Sequence, residues 1–67
     1  MELLKFIKNK GRGYQSQLAK EVGISQAFMW QIANKRRKSP PQVAKDIELA
    51  TNFKVTKKEL RPDIWVD

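Results

Sequence analysis

Cysteine and histidine are both missing from this 67-residue chain. Their absence removes disulfides, thiolate nucleophiles, zinc sites of Cys/His type and imidazole acid–base catalysis together. Three glycines and three prolines are all it has of either residue, and none of the glycines forms a phosphate-binding loop. Acidic residues stand singly. No enzyme, cofactor or metal site is therefore expected, and no small-molecule ligand is evident. Apolar runs stay well short of the roughly 20 residues that span a bilayer. No signal peptide precedes the domain, so a cytoplasmic location is expected. A chain of this size makes one small domain, residues 1–67, burying only about 60% of the surface its unfolded form exposes.

What the chain has in excess is positive charge, and that charge is unevenly placed. Residues 1–38 carry nine lysines and arginines against Glu2 and Glu21, whereas residues 39–67 carry five of each sign. The net charge of +7 thus lies entirely with the first half, as expected if that half faces a polyanion.

The same half contains Gln15–Asn34, QSQLAKEVGISQAFMWQIAN. Leu18, Ala19 and Val22 stand at helical spacing, Gly23 interrupts, and Ile24, Met29 and Ile32 resume an apolar stripe. Two helices crossing through a short turn need this pattern. Ala19 is small enough to allow a close approach, and Gly23 suits the left-handed residue that ends a helix. The unit predicts a helix-turn-helix, whose second helix is sized for the DNA major groove.

Elsewhere the sequence predicts a first helix over about Glu2–Asn9, with Leu3, Leu4 and Ile7 inward. Lys8 and Lys10 suit its C-terminal end. A second helix is expected over Gln15–Val22 and a third over Gln26–Lys35, with Ser25 as N-cap. Ser39 followed by Gln42 reads as a capping box, with Pro40 at the first position of a fourth helix running to Thr51. That helix should bury Val43, Ile47 and Ala50, and Asn52 is a left-handed stop. Thr56 with Glu59 predicts one further short turn. Arg61–Trp65 reads as a turn carrying an aromatic anchor, with Ile64 and Trp65 pinned to the core or held for a dimer contact. The expected fold is all-α, a compact four- to five-helix helix-turn-helix domain with a short C-terminal tail.

At 100° per residue, Met29 and Ile32 define the buried side of the third helix. Ala27, Gln31 and Asn34 fall nearly opposite, Trp30 beside them, and Gln26 is exposed at the N-terminal end. Glutamine amides pair with adenine N7 and N6, and an alanine methyl suits a thymine methyl. Gln26 and Gln31 are therefore the expected base readers, with Ala27 and Trp30 alongside. Trp30 could pack on sugar or thymine methyls, cover a dimer contact, or fold back over its helix. Phe28 more nearly flanks the core. Gln15, opening the second helix, suits a phosphate. Asn34, Lys35, Arg36, Arg37 and Lys38 end the recognition helix, where they would grip the flanking backbone.

These residues resemble the lambda-repressor-like group of phage and bacterial regulators, most of all small Cro-like proteins and the YdaS-type antitoxin/repressor family. The matching pieces are Gln15–Ala19, Val22–Ala27, Asn34–Arg37, Pro40-Pro41 and Leu60–Trp65, together spanning roughly residues 13–65. Tyr14 stands where a Ser or Thr cap is usual, Trp30 where a small residue is, and Ile32 at a buried place often held by Trp. The resemblance implies a compact helical domain in the bacterial cytosol or nucleoid that binds operator DNA, commonly palindromic and commonly as a homodimer, and represses transcription. It would make Gln15 a phosphate clamp and Gln26, Ala27 and Gln31 base readers. A second possibility is an antitoxin-like or co-regulator protein-interaction module that keeps the helix-turn-helix shape, with Trp30 and Trp65 as anchors.

Overall fold

The computed structural model describes residues 2–65, and among them five helices follow one another with no strand between. They are α1 (Leu3–Lys10), α2 (Tyr14–Val22), α3 (Gln26–Ala33), α4 (Pro41–Ala50) and the short α5 (Lys57–Leu60). The α2 helix packs against α1, α3 and α4, and α5 docks on α4. The expected all-α class is what forms. No helix among the described residues is long and apolar enough to cross a membrane.

The core is built from one stripe of each longer helix. Leu18 and Ala19 of α2, Met29 and Ile32 of α3, and Ile47 of α4 are buried, and Val55 seals them from the loop before α5. On α1, Leu3, Phe6 and Ile7 are buried, whereas the expected Leu4 packs only at the margin. Phe6 takes its place because its ring meets Tyr14 edge-on, with centroids 5.7 Å apart. Lys10 lies over both rings. On α4 it is Ala44 that disappears with Ile47, while Val43 and Ala50 are half-buried.

Three helices end the same way. Gly23 is left-handed at φ 85°, and its N–H and that of Ile24 return to Lys20 and Ala19. This is the Schellman arrangement, which satisfies carbonyls that a helix end otherwise leaves open. Lys35 at φ 60° repeats it, with Lys35 N–H on Ile32 and Arg36 N–H on Gln31. Asn52 at φ 57° repeats it again, with bonds to Leu49 and Glu48. Asn52 is the stop its residue type suggested. Lys35 is not, and it shortens α3 to Ala33 where the sequence pattern extended the helix to Lys35.

Ser39 does not cap α4. Pro40 occupies the cap at φ −58° and ψ 153°, and the helix starts at Pro41. A residue before proline is driven to extended backbone, so Pro41 holds Pro40 outside the helix and leaves Ser39 one position too far out. Ser39 is instead 1% exposed, with its hydroxyl buried and unpartnered. The Thr56 cap does form: its hydroxyl accepts from the Glu59 N–H at 3.2 Å.

Candidate nucleic-acid interface

The turn before the third helix sets its start. The Gly23 reversal brings Ile24 back against the core. Ser25 then adopts extended backbone, and its hydroxyl accepts from the Phe28 N–H at 3.0 Å. With Met29 and Ile32 buried, the opposite arc of α3 faces outward. Gln26, Ala27 and Trp30 are exposed on it, and Gln31 lies half-buried at its edge. Phe28 is half-buried against the core, as its angle on the helix indicated.

Gln15 joins this arc from the preceding helix. Its side-chain N–H donates to the Gln26 carbonyl at 3.3 Å, bridging the starts of α2 and α3. An amide nitrogen carries two hydrogens, so one remains for a ligand beside the uncapped N-terminus of α2, which begins after left-handed Gly13. Tyr14 next to it is held neutral: burial, then the Glu21 carboxylate, raises its phenol above the ordinary 10.0.

The basic turn divides its members. Asn34 turns its amide inward, donating to the Trp30 carbonyl at 2.9 Å, so it acts on the helix end itself. Lys35 reaches Glu2 at 3.9 Å and Lys38 reaches Asp63 at 3.8 Å. Both pairs are largely exposed, and such pairs contribute little, leaving these lysines available to another anion. Arg37 has no ion pair among the described residues. Arg36 differs from the rest: its guanidinium carbon stands 5.3 Å from the centroid of the Trp30 ring. Of the sequence-derived candidates, the fold thus brings together Gln15 with Gln26, and Trp30 with Asn34 and Arg36.

Arg61 is the residue that sequence reasoning passed over. It donates to both oxygens of Asp63, at 2.9 and 2.8 Å, and to the Ser39 carbonyl at 2.7 Å. That bidentate contact holds the Asp63 carboxyl down to about 2 from 3.8 and raises the Arg61 guanidinium further. The tail is therefore tied to the end of the basic turn by a fork of hydrogen bonds. Trp65 is only partly buried, with Lys57 over its ring, and Ile64 is exposed. The expected aromatic anchor is secondary. The signal was present in Arg61-Pro62-Asp63, where a proline turn places an arginine and a carboxylate within bidentate reach.

Two helices joined by the Gly23–Ser25 turn, an outward polar arc on the second, and a basic turn closing it define a small helix-turn-helix protein. The chain belongs to the family described as bacterial toxin YdaS, whose model matches residues 5–67. Membership puts it with small bacterial proteins of regulatory or toxin–antitoxin-like kind. Among curated proteins and solved structures, nothing matches.

Proposed function

We propose that the protein binds specific double-stranded operator DNA and represses transcription in the manner of Cro-like phage or prophage regulators. The observation that carries this reading is the hydrogen bond that joins the two helix starts, with the basic turn closing the second helix. Gln15 is hydrogen-bonded to Gln26, and the outward arc of α3 ends in four consecutive cations. In this reading α3 lies in the major groove, with Gln26, Ala27, Trp30 and Gln31 towards base edges. Gln15 and, from the basic turn, Lys35, Arg37 and Lys38 supply the backbone contacts, with Asn34 fixing the end of α3. The partner is a palindromic duplex bound by a homodimer at least on DNA, with half-sites about 34–36 Å apart. No catalytic step, cofactor, small molecule or membrane enters, and the site of action is the bacterial cytoplasm.

The test is duplex binding followed by fluorescence anisotropy across a salt series. Neutralising about six phosphates gives a slope of log affinity on log salt near −5. A slope near zero would overturn the reading.

A second reading is favoured by a separate observation. Leu49 and Phe53 are 65% and 59% exposed at the end of α4, and exposed apolar pairs of this kind suit a protein interface. On that account the helix-turn-helix is a scaffold for an antitoxin-like or co-regulator contact. Complex formation insensitive to salt, and lost with Leu49→Lys, would support it.

A further inference from the structure

We infer that Arg36 is a base-reading residue, its guanidinium held on the Trp30 ring so that it recognises a guanine next to a thymine. This rests on the DNA-binding reading above and sharpens it. By sequence Arg36 is one of four cations in a run and belongs with them at the backbone. Its side-chain contact separates it from them. Left-handed Lys35 folds the main chain back on the last turn of α3, where the N–H groups of Arg36 and Arg37 both reach the Gln31 carbonyl, at 2.8 and 3.3 Å. The residue after the turn is therefore docked on the recognition helix instead of leading away from it. Its side chain then lies over Trp30, which is 44% exposed near the middle of the outward arc. Lys35 and Lys38 point elsewhere, towards Glu2 and Asp63.

The chemistry of that pair differs from a phosphate grip. A guanidinium is planar, weakly hydrated and attracted to an aromatic face, and its place over the Trp30 ring restrains it while leaving N–H donors free. Two parallel donors held in a plane match O6 and N7 of guanine, the commonest specific contact in the major groove. The uncovered part of the indole is apolar and suits the C5-methyl group of thymine, the one apolar feature a base presents there. One cation–π pair thus offers a guanine fork beside a methyl surface.

The experiment uses the full chain and a duplex obtained by selection with it. Binding is measured for the wild type, Arg36→Lys, Arg36→Ala and Trp30→Ala, on that duplex and two modified forms. In one form the guanine nearest the arc carries 7-deazaguanine, which lacks the N7 acceptor. In the other, uracil replaces the neighbouring thymine and removes its methyl. Both side chains are on the surface, and circular dichroism verifies that each variant is folded. The wild type is expected to lose about tenfold or more on 7-deazaguanine and less on uracil. Arg36→Ala should abolish the 7-deazaguanine effect, and Arg36→Lys, which loses the planar fork, should reduce it while keeping affinity for unrelated duplex within about twofold, since its charge is retained. Trp30→Ala should lose both effects. If Arg36→Ala keeps full discrimination against 7-deazaguanine, or weakens every duplex by one factor, Arg36 contacts phosphate. The inference then fails while DNA binding stands. If no duplex is selected at all, the DNA-binding reading fails and takes this inference with it.

Discussion

Gln15 and Gln26, eleven residues apart, are joined by a hydrogen bond from the side-chain amide of one to the main-chain carbonyl of the other, at 3.3 Å. The bond ties the start of the helix that would meet the phosphate backbone to the start of the helix that would enter the groove. Two kinds of contact are thereby set in one register, as backbone positioning and base reading require.

From this follows a division of labour between the two glutamines. Gln26→Ala should cost about 1–3 kcal/mol at a single base pair and little elsewhere. Gln15→Ala should weaken binding to all duplexes alike. Competition binding against single-position variants of the selected site separates the two patterns, and uniform loss from both variants would remove Gln26 from the base-reading set.

Lys35 occupies a left-handed position better filled by glycine, at φ 60°. A side chain there costs about 1–2 kcal/mol, partly offset because glycine loses more freedom on folding. Its exposed pair with Glu2 contributes little. Lys35→Gly is expected to stabilise by about 0.5–1 kcal/mol, raising Tm by about 2–8 °C. Calorimetry checks this, and a lower Tm would mean that the turn is not held left-handed.

Ser39 separates two accounts of the start of α4. As an N-cap, its replacement by alanine would cost about 1 kcal/mol. As a buried hydroxyl without a partner, its loss is neutral or stabilising by up to about 1 kcal/mol. The structure predicts the second result in chemical denaturation of Ser39→Ala.

Thr51 is the opposite case, a buried hydroxyl fully used. It donates to the Ile47 carbonyl at 2.8 Å and accepts from the Val55 N–H at 3.1 Å. Thr51→Val keeps the shape but orphans that N–H, and should destabilise by about 1–3 kcal/mol. Thr51→Ser should retain most of the stability, which distinguishes the bond from the methyl group.

The Arg61–Asp63 fork carries a pH dependence of definite sign. Asp63 falls from 3.8 to about 2 in the folded chain, so its contribution is complete above about 3.8 and disappears as pH drops through about 2. The tail should therefore stay docked through mild acid. Carboxyl-carbon NMR should place the Asp63 midpoint near 2 and return it towards 3.8 in Arg61→Ala. A wild-type midpoint near 3.8 would show that the fork does not persist in solution.

Much of this architecture could be read from residue types whose preferences act locally. Gly23, Ser25, Asn52 and Thr56 do what glycine, serine, asparagine and threonine do at helix ends, and the apolar spacing of α2 and α3 located Leu18, Met29 and Ile32 in the core. The departures come from contacts that local rules do not contain. Lys35 turns left-handed although nothing in lysine favours it, because the chain must fold back on α3. Ser39 loses its cap to the geometry of two consecutive prolines. Arg36 looked like a member of one charged run, and only the reversal at Lys35 sets it against Trp30. Arg61 reaches Ser39 across 22 positions, which no periodicity reveals.

The most direct test of the account is selection of bound sequences from a random duplex library by the full chain at near-physiological salt. A palindrome with half-sites one helical turn apart, altered at defined positions by Gln26→Ala, is the predicted result. Salt-sensitive binding without any enriched sequence would contradict it, showing a basic surface that holds DNA without reading it.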